Sequence, residues 1–282
     1  MSATILSGKD ASSALLASLK DKVKELDPKL VVVQVGNDPA SDSYIRQKMK
    51  SCEAVGMRHE HIHLPDTTTR NELFDLIDRL NKDDDVTGFI VQVPLPGKLE
   101  DAVPDVIRTI DPSKDVDGFG PTNLGNLFLG GEFEAFPSAT PGGIIAMLEH
   151  YKIDVDGKHC VVVGRSNIVG KPLAVMLLNR GATVTVCHRG TKDLAAQTRQ
   201  ADLLFSAVGK PGLITKDMVK PGVIIIDVGT TRTDAGIKGD VDFDAVKEVA
   251  SAITPVPGGV GPMTVASLIR NCVRAAEKKR RS

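Results

Sequence analysis

The chain has 282 residues, 41% of them hydrophobic and 25% charged, with 35 basic residues against 36 acidic for a net charge of −1. That length suits about two domains with sizeable cores, and the even charge leaves no electrostatic footprint for nucleic acid or an anionic membrane. The absence of tryptophan argues against base stacking, and no apolar run reaches the ~18–20 residues that span a bilayer.

The start, Met1-Ser2-Ala3-Thr4, lacks the basic residues and apolar stretch of a secretory leader. Cys52, Cys160, Cys187 and Cys272 are scattered, with no Cys-x-x-Cys pair. This favours reduced thiols in the cytoplasm over a disulfide frame or a zinc site.

Strands and helices alternate along the chain. Residues 10–26 form an amphipathic helix with Leu15, Leu16, Leu19, Val23 and Leu26 on one stripe. Residues 30–35 are a continuous apolar run, the pattern of a strand buried on both faces. A helix over 39–55, a strand over 59–64, a helix over 69–81 and a strand over 86–93 follow, the last stopped by Pro94 and Pro96. From 111 to 141 Gly, Pro and Asn are frequent and periodicity fades, which marks a domain junction. Beyond it come a helix over 143–151, strands over 159–163, 183–186, 203–205 and 223–227, and a last helix over 264–278. This βαβ alternation predicts two α/β domains flanking a cleft, the second Rossmann-like, with a mostly parallel sheet. Residues 1–138 with 264–282 form the expected catalytic domain and 139–263 the dinucleotide domain.

The segment Gly164-Arg165-Ser166-Asn167-Ile168-Val169-Gly170 lies between a strand and a helix. A tight glycine turn ahead of a helix N-terminus suits a pyrophosphate. It departs from G-x-G-x-x-G, because Ser166 replaces the second glycine and one residue is inserted before the last. An NAD site usually carries an acid at the end of the next strand. Here Cys187-His188-Arg189 stands there, and Arg165 with Arg189 suits a 2′-phosphate, so NADP is the expected cofactor. Ala207, Val208 and Gly209, then Gly229, Thr230 and Thr231, follow later strands and are expected to line the same ligand, with Thr140 and His188 completing the set.

In the first half Tyr44 and Lys48 are four residues apart, on one helix face. Gln92 closes a strand, Asp115-Val116-Asp117-Gly118 is an acidic turn, and Pro257-Gly258-Gly259-Val260 would let backbone approach a ligand closely. Taken singly, each has a plain structural reading. Lys48 could be a solvated lysine, Tyr44 a packing residue, Gln92 a strand-end cap and Asp117 an Asx-turn former. His59, His61 and His63 alternate on one strand face, but no carboxylate or cysteine is placed with them, so no metal is expected.

Together, Gly88-Phe89-Ile90-Val91-Gln92-Val93-Pro94-Leu95-Pro96 and Pro257-Gly258-Gly259-Val260-Gly261-Pro262-Met263-Thr264 resemble the two signatures of the bifunctional methylenetetrahydrofolate dehydrogenase/cyclohydrolase family. Tyr44-x-x-x-Lys48, Lys114 to Gly118 and Gly164-Arg165-Ser166 fit it in the same order, so the resemblance covers essentially the whole chain. It implies oxidation of 5,10-methylenetetrahydrofolate by NADP, then hydrolysis of the methenyl product to 10-formyltetrahydrofolate. It also implies catalytic roles for Lys48, Gln92 and Asp117, and folate binding by Tyr44, Gln92, Asp117 and Pro257 to Val260. A homodimer is expected from the resemblance alone. Arg189 departs from some relatives, which carry a smaller polar residue there. The alternatives are a dehydrogenase-only member, against which Lys48 and Gln92 speak, or a non-catalytic dinucleotide sensor, which would not need Lys48 and Asp117.

Overall fold

Valine-rich strands that read as fully buried are flanked by amphipathic helices, and the chain folds accordingly. A computed structural model describes residues 3–131, 136–234 and 236–281. In chain order the first half runs β1 (Thr4–Ile5), α1 (Gly8–Leu26), β2 (Lys29–Val35), α2 (Pro39–Val55), β3 (Arg58–Leu64), α3 (Arg70–Lys82), β4 (Gly88–Val91), α4 (Val103–Thr109) and α5 (Pro121–Leu129). There follow α6 (Ala139–His150), β5 (His159–Val163), α7 (Gly170–Leu178), β6 (Thr183–Cys187), α8 (Leu194–Thr198), β7 (Leu203–Ser206), β8 (Ile224–Asp227), β9 (Thr231–Thr233), β10 (Gly236–Lys238), α9 (Phe243–Val246), β11 (Ala252–Ile253) and α10 (Val260–Arg281).

The chain divides into two compact units, and all three boundaries fall inside helices, α1, α6 and α10. One unit comprises residues 15–139 and 268–282. Its sheet has the order β3-β2-β4, with every pairing parallel. β2 is central, so Leu30 to Val33 are sealed at 0% exposure, with Val31, Val33, Leu73, Ile77 and Phe89 sharing one core. The histidines of edge strand β3 are tied down locally. His61 and His63 stack with ring centres 5.7 Å apart, His61 bonds the Gln34 side chain at 2.9 Å, and His63 bonds the Gly36 carbonyl at 2.9 Å. Among the described residues no group of His, Cys, Asp and Glu is arranged to hold a metal.

The other unit comprises residues 1–14 and 140–267. Its six strands run β1-β11-β8-β7-β5-β6, all parallel, over a core that includes Val161, Val163, Leu204, Ile225 and Ile253. The division expected from the sequence differs at residues 1–14 and 264–267, which had been placed with the catalytic half, and at residue 139, which had been placed with the dinucleotide half. Thr4 and Ile5 pair with Ala252 and Ile253, and Leu6 is buried at 1% exposure, so backbone pairing carries the N-terminal segment into the larger sheet. Among the described residues no helix is long and apolar enough to cross a membrane.

Candidate active site

Tyr44 and Lys48 ride on α2, a helix with signals at both ends. Asp38 accepts the Ser41 amide at 2.8 Å, Pro39 occupies the first turn, and Gly56 ends the helix in the left-handed conformation at φ +75°. Tyr44 is 40% exposed, whereas Lys48, one turn on, is 9% exposed. The Lys48 ammonium donates to Gln92 Oε1 at 2.9 Å. Gln92 follows β4, its amide bonded to the Val33 carbonyl at 2.8 Å and its side-chain amide donating to the Val93 carbonyl at 2.8 Å. That second bond leaves the carbonyl end of Gln92 facing the lysine. Burial pulls the Lys48 ammonium toward losing its proton, and the Asp117 charge opposes this. Burial likewise pushes the Asp117 carboxyl up, opposed by Lys48 and reinforced by Asp115.

The acidic turn divides two jobs between its aspartates. Asp115, 3% exposed, accepts the amides of Gly118 at 3.0 Å and Gly120 at 2.7 Å and the Asn123 side chain at 2.9 Å. Asn271 of α10 supports the same turn by donating to the Val116 carbonyl at 2.8 Å. The carboxylate of Asp117 takes no hydrogen bond from the described residues and is partly buried. Turn formation therefore belongs to Asp115, which the sequence reading did not single out. Its signal was the Asx pattern of an aspartate three residues before a glycine.

In the six-stranded unit the expected ligand residues follow the carboxyl ends of five strands. The chain leaves β5 for β6 on one side and returns to β7 on the other, so the loop after β5 stands at the switch point of the sheet. That loop holds Gly164, Arg165 and Ser166. Gly164 has φ +126°, and a side chain there would lie 2.4 Å from the Ala207 carbonyl oxygen. Ser166 Oγ accepts the amides of Val169 at 3.1 Å and Gly170 at 3.3 Å, shaping the turn into α7 as a glycine otherwise would. After β6 come His188, whose ring accepts the Gly190 amide at 3.0 Å, and Arg189; Arg165 and Arg189 are both exposed. After β7 come Ala207, Val208 and Gly209, and after β8 Gly229, Thr230 and Thr231, the two loops joined by Thr231 Oγ1 donating to the Gly209 carbonyl at 3.1 Å. Thr140, in the first turn of α6, accepts from Thr264 at 3.0 Å. Pro257, Gly258, Gly259 and Val260 follow β11 in this same unit, and the Gly258 carbonyl accepts the Gly8 amide at 2.9 Å.

A parallel sheet that opens its switch point onto a glycine turn is the architecture of an NAD(P)-dependent α/β enzyme, and a lysine held buried beside an amide and a carboxylate adds proton chemistry to it. Residues 6–117 match the model of the tetrahydrofolate dehydrogenase/cyclohydrolase catalytic domain, and residues 138–280 that of the corresponding NAD(P)-binding domain. The bifunctional protein FolD of Staphylococcus aureus (strain Newman) is 49% identical over 287 residues, covering 100% of this chain and 99% of that protein. The crystal structure of the bifunctional FolD from Campylobacter jejuni superposes with a TM-score of 0.93 at 48% identity, covering 98% of this chain and 99% of that one. The FolD of Trypanosoma brucei, complexed with NADP and an inhibitor, gives a TM-score of 0.93 at 34% identity, with 100% of both chains covered. The chain belongs to the tetrahydrofolate dehydrogenase/cyclohydrolase family.

Proposed function

We propose that this chain oxidises 5,10-methylenetetrahydrofolate to 5,10-methenyltetrahydrofolate with NADP and hydrolyses the methenyl product to 10-formyltetrahydrofolate. The observation that carries the reading is the buried Lys48, hydrogen-bonded to Gln92 at 2.9 Å and electrostatically coupled to Asp117. The tight Gly164 turn and the exposed Arg165 and Arg189, with no acid at the end of β6, fit a dinucleotide that carries a 2′-phosphate. When bound, NADP accepts a hydride.

The folate product of that step is a cation, and water must attack its single carbon. An ammonium beside a cation is repelled, so the burial that favours neutral Lys48 also favours it as a base. Lys48 then takes a proton from the attacking water while Gln92 fixes its position. As one carbon–nitrogen bond breaks, the tetrahedral hydroxyl gives up its remaining proton to form the formyl C=O. One of the two water protons ends on the released nitrogen and the other leaves to solvent, which accounts for the lost positive charge. Asp117 accepts two N–H groups from the amino-pyrimidinone edge of the pterin, which a neutral side chain would do less well. Tyr44 stacks on or hydrogen-bonds the ring system.

The four buried, unbridged cysteines support a cytoplasmic enzyme. The free edge of β6, with Val186 40% exposed, supports a homodimer formed through the six-stranded unit. The test of the main reading follows NADPH formation from methylenetetrahydrofolate and, separately, the decay of methenyltetrahydrofolate, in wild type and Lys48→Met. Wild type performs both reactions and the variant loses mainly the hydrolysis. A wild type that binds NADP but performs neither reaction overturns the folate assignment.

A further inference from the structure

The loops after β7 and β8 are held in place by two carboxylates. Asp240, at 0% exposure, accepts the amides of Val208 and Lys210, each at 2.7 Å, and the Ser206 hydroxyl at 3.0 Å. Asp227, at 3% exposure, accepts the amides of Gly229, Asp240 and Val241, each at 3.0 Å. The Asp227 amide in turn donates to the Thr254 hydroxyl at 2.7 Å. Space is as tightly filled as the hydrogen bonding, since a side chain on Gly229 would lie 2.2 Å from Asp240 Oδ1.

A carboxylate taken out of water is costly unless its oxygens are fully engaged. Asp240 engages them with the very loop that carries Val208 and Gly209, and its own amide is fixed by the carboxylate at the end of β8. The 207–210 and 229–231 loops are thereby locked to one another before any ligand arrives. A site formed in advance avoids the ordering cost that binding would otherwise carry.

We propose that Asp240, backed by Asp227, is a positioning residue for dinucleotide binding, pre-forming the loops after β7 and β8 without touching the cofactor. This rests on the assignment of those loops to NADP made above. Asp240→Asn sets an N–H group against at least one of the amides that Asp240 now accepts. The measurements are NADP affinity by calorimetry, the dehydrogenase KM for each substrate, and the cyclohydrolase rate. The Kd and KM for NADP rise about tenfold or more, while the KM for folate and the cyclohydrolase rate stay within about twofold. Unchanged NADP affinity in the folded variant overturns the proposal. So does a parallel fall of both activities, which marks a purely structural residue.

Should Asp240→Asn fail to fold, hydrogen exchange on the wild-type protein without NADP decides. The Val208 and Lys210 amides then exchange slowly, and exchange as fast as that of exposed loop amides overturns the proposal. A wild type that bound no NADP would instead overturn the loop assignment on which the proposal stands.

Discussion

At Lys48 two effects of opposite sign meet: burial favours the neutral amine, and the Asp117 charge favours the ammonium. Replacing Asp117 by Asn removes the second and keeps the first, so Lys48 should release its proton at lower pH than in wild type. If neutral Lys48 is the base, the cyclohydrolase rate rises with pH as that proton leaves. The rising limb measured at saturating folate should therefore move toward acid in Asp117→Asn. The KM for folate should climb about 10–100-fold with loss of the charged acceptor. A limb that stays where it was would mean that Asp117 is not charged beside Lys48 during turnover. Tyr44 and Lys48 were legible as a pair because helical spacing of four residues places them on one face. Asp227 and Asp240 were not, because a carboxylate that accepts backbone amides leaves no periodic trace among side chains, and Asp115 left only a local Asx pattern.

Among the elements, α2 holds two of the proposed site residues and α3 holds none, although both have side-chain caps. Asp38 caps α2 by accepting the Ser41 amide at 2.8 Å. Thr69 caps α3 by accepting the Glu72 amide at 3.3 Å, and Glu72 returns a bond to the Thr69 amide at 2.7 Å. Removing either cap as alanine should cost about 1 kcal/mol in urea unfolding. Only Asp38→Ala should also raise the KM for folate, because fraying of the first turn loosens Tyr44 and Lys48. Equal KM values in the two variants would show that α2 is held by its packing rather than its cap. The same caps explain why α2 was readable: Asp38, Pro39 and Gly56 bracket it, and the observed Pro39–Val55 coincides with the expected 39–55. By contrast α5, Pro121–Leu129, lies in the Gly- and Asn-rich stretch that reads as a junction. Its two asparagines and its glycine are poor helix formers, and a bond from Asn123 to Asp115 in the preceding turn, at 2.9 Å, helps to anchor it. β1 and β11 have two residues each, too short for any hydrophobic period, and exist only through their pairing.

At the scale of the whole molecule, the departure from the expected division at residues 1–14 has an energetic consequence. A strand of two residues cannot hold itself. Its place rests on the Thr4 amide bonded to the Ser251 carbonyl and the Leu6 amide to the Ile253 carbonyl, both at 2.9 Å, and on Leu6 at 1% exposure. Truncating a fully buried leucine costs about 2–5 kcal/mol, depending on how far the surroundings collapse into the cavity. Leu6→Ala should lower stability by about 3 kcal/mol. The loss should surface first where β1 pairs, since local openings follow cooperative structural blocks. Hydrogen exchange should accelerate at the Ser251–Thr254 amides, which join β11 to its neighbours, well before it does at Val31 to Val33 in the centre of the three-stranded sheet. Had the N-terminal segment packed in the unit of the three-stranded sheet, the order would be reversed. Faster exchange at Val31 to Val33 with no change near β11 would show that Leu6 supports the smaller sheet.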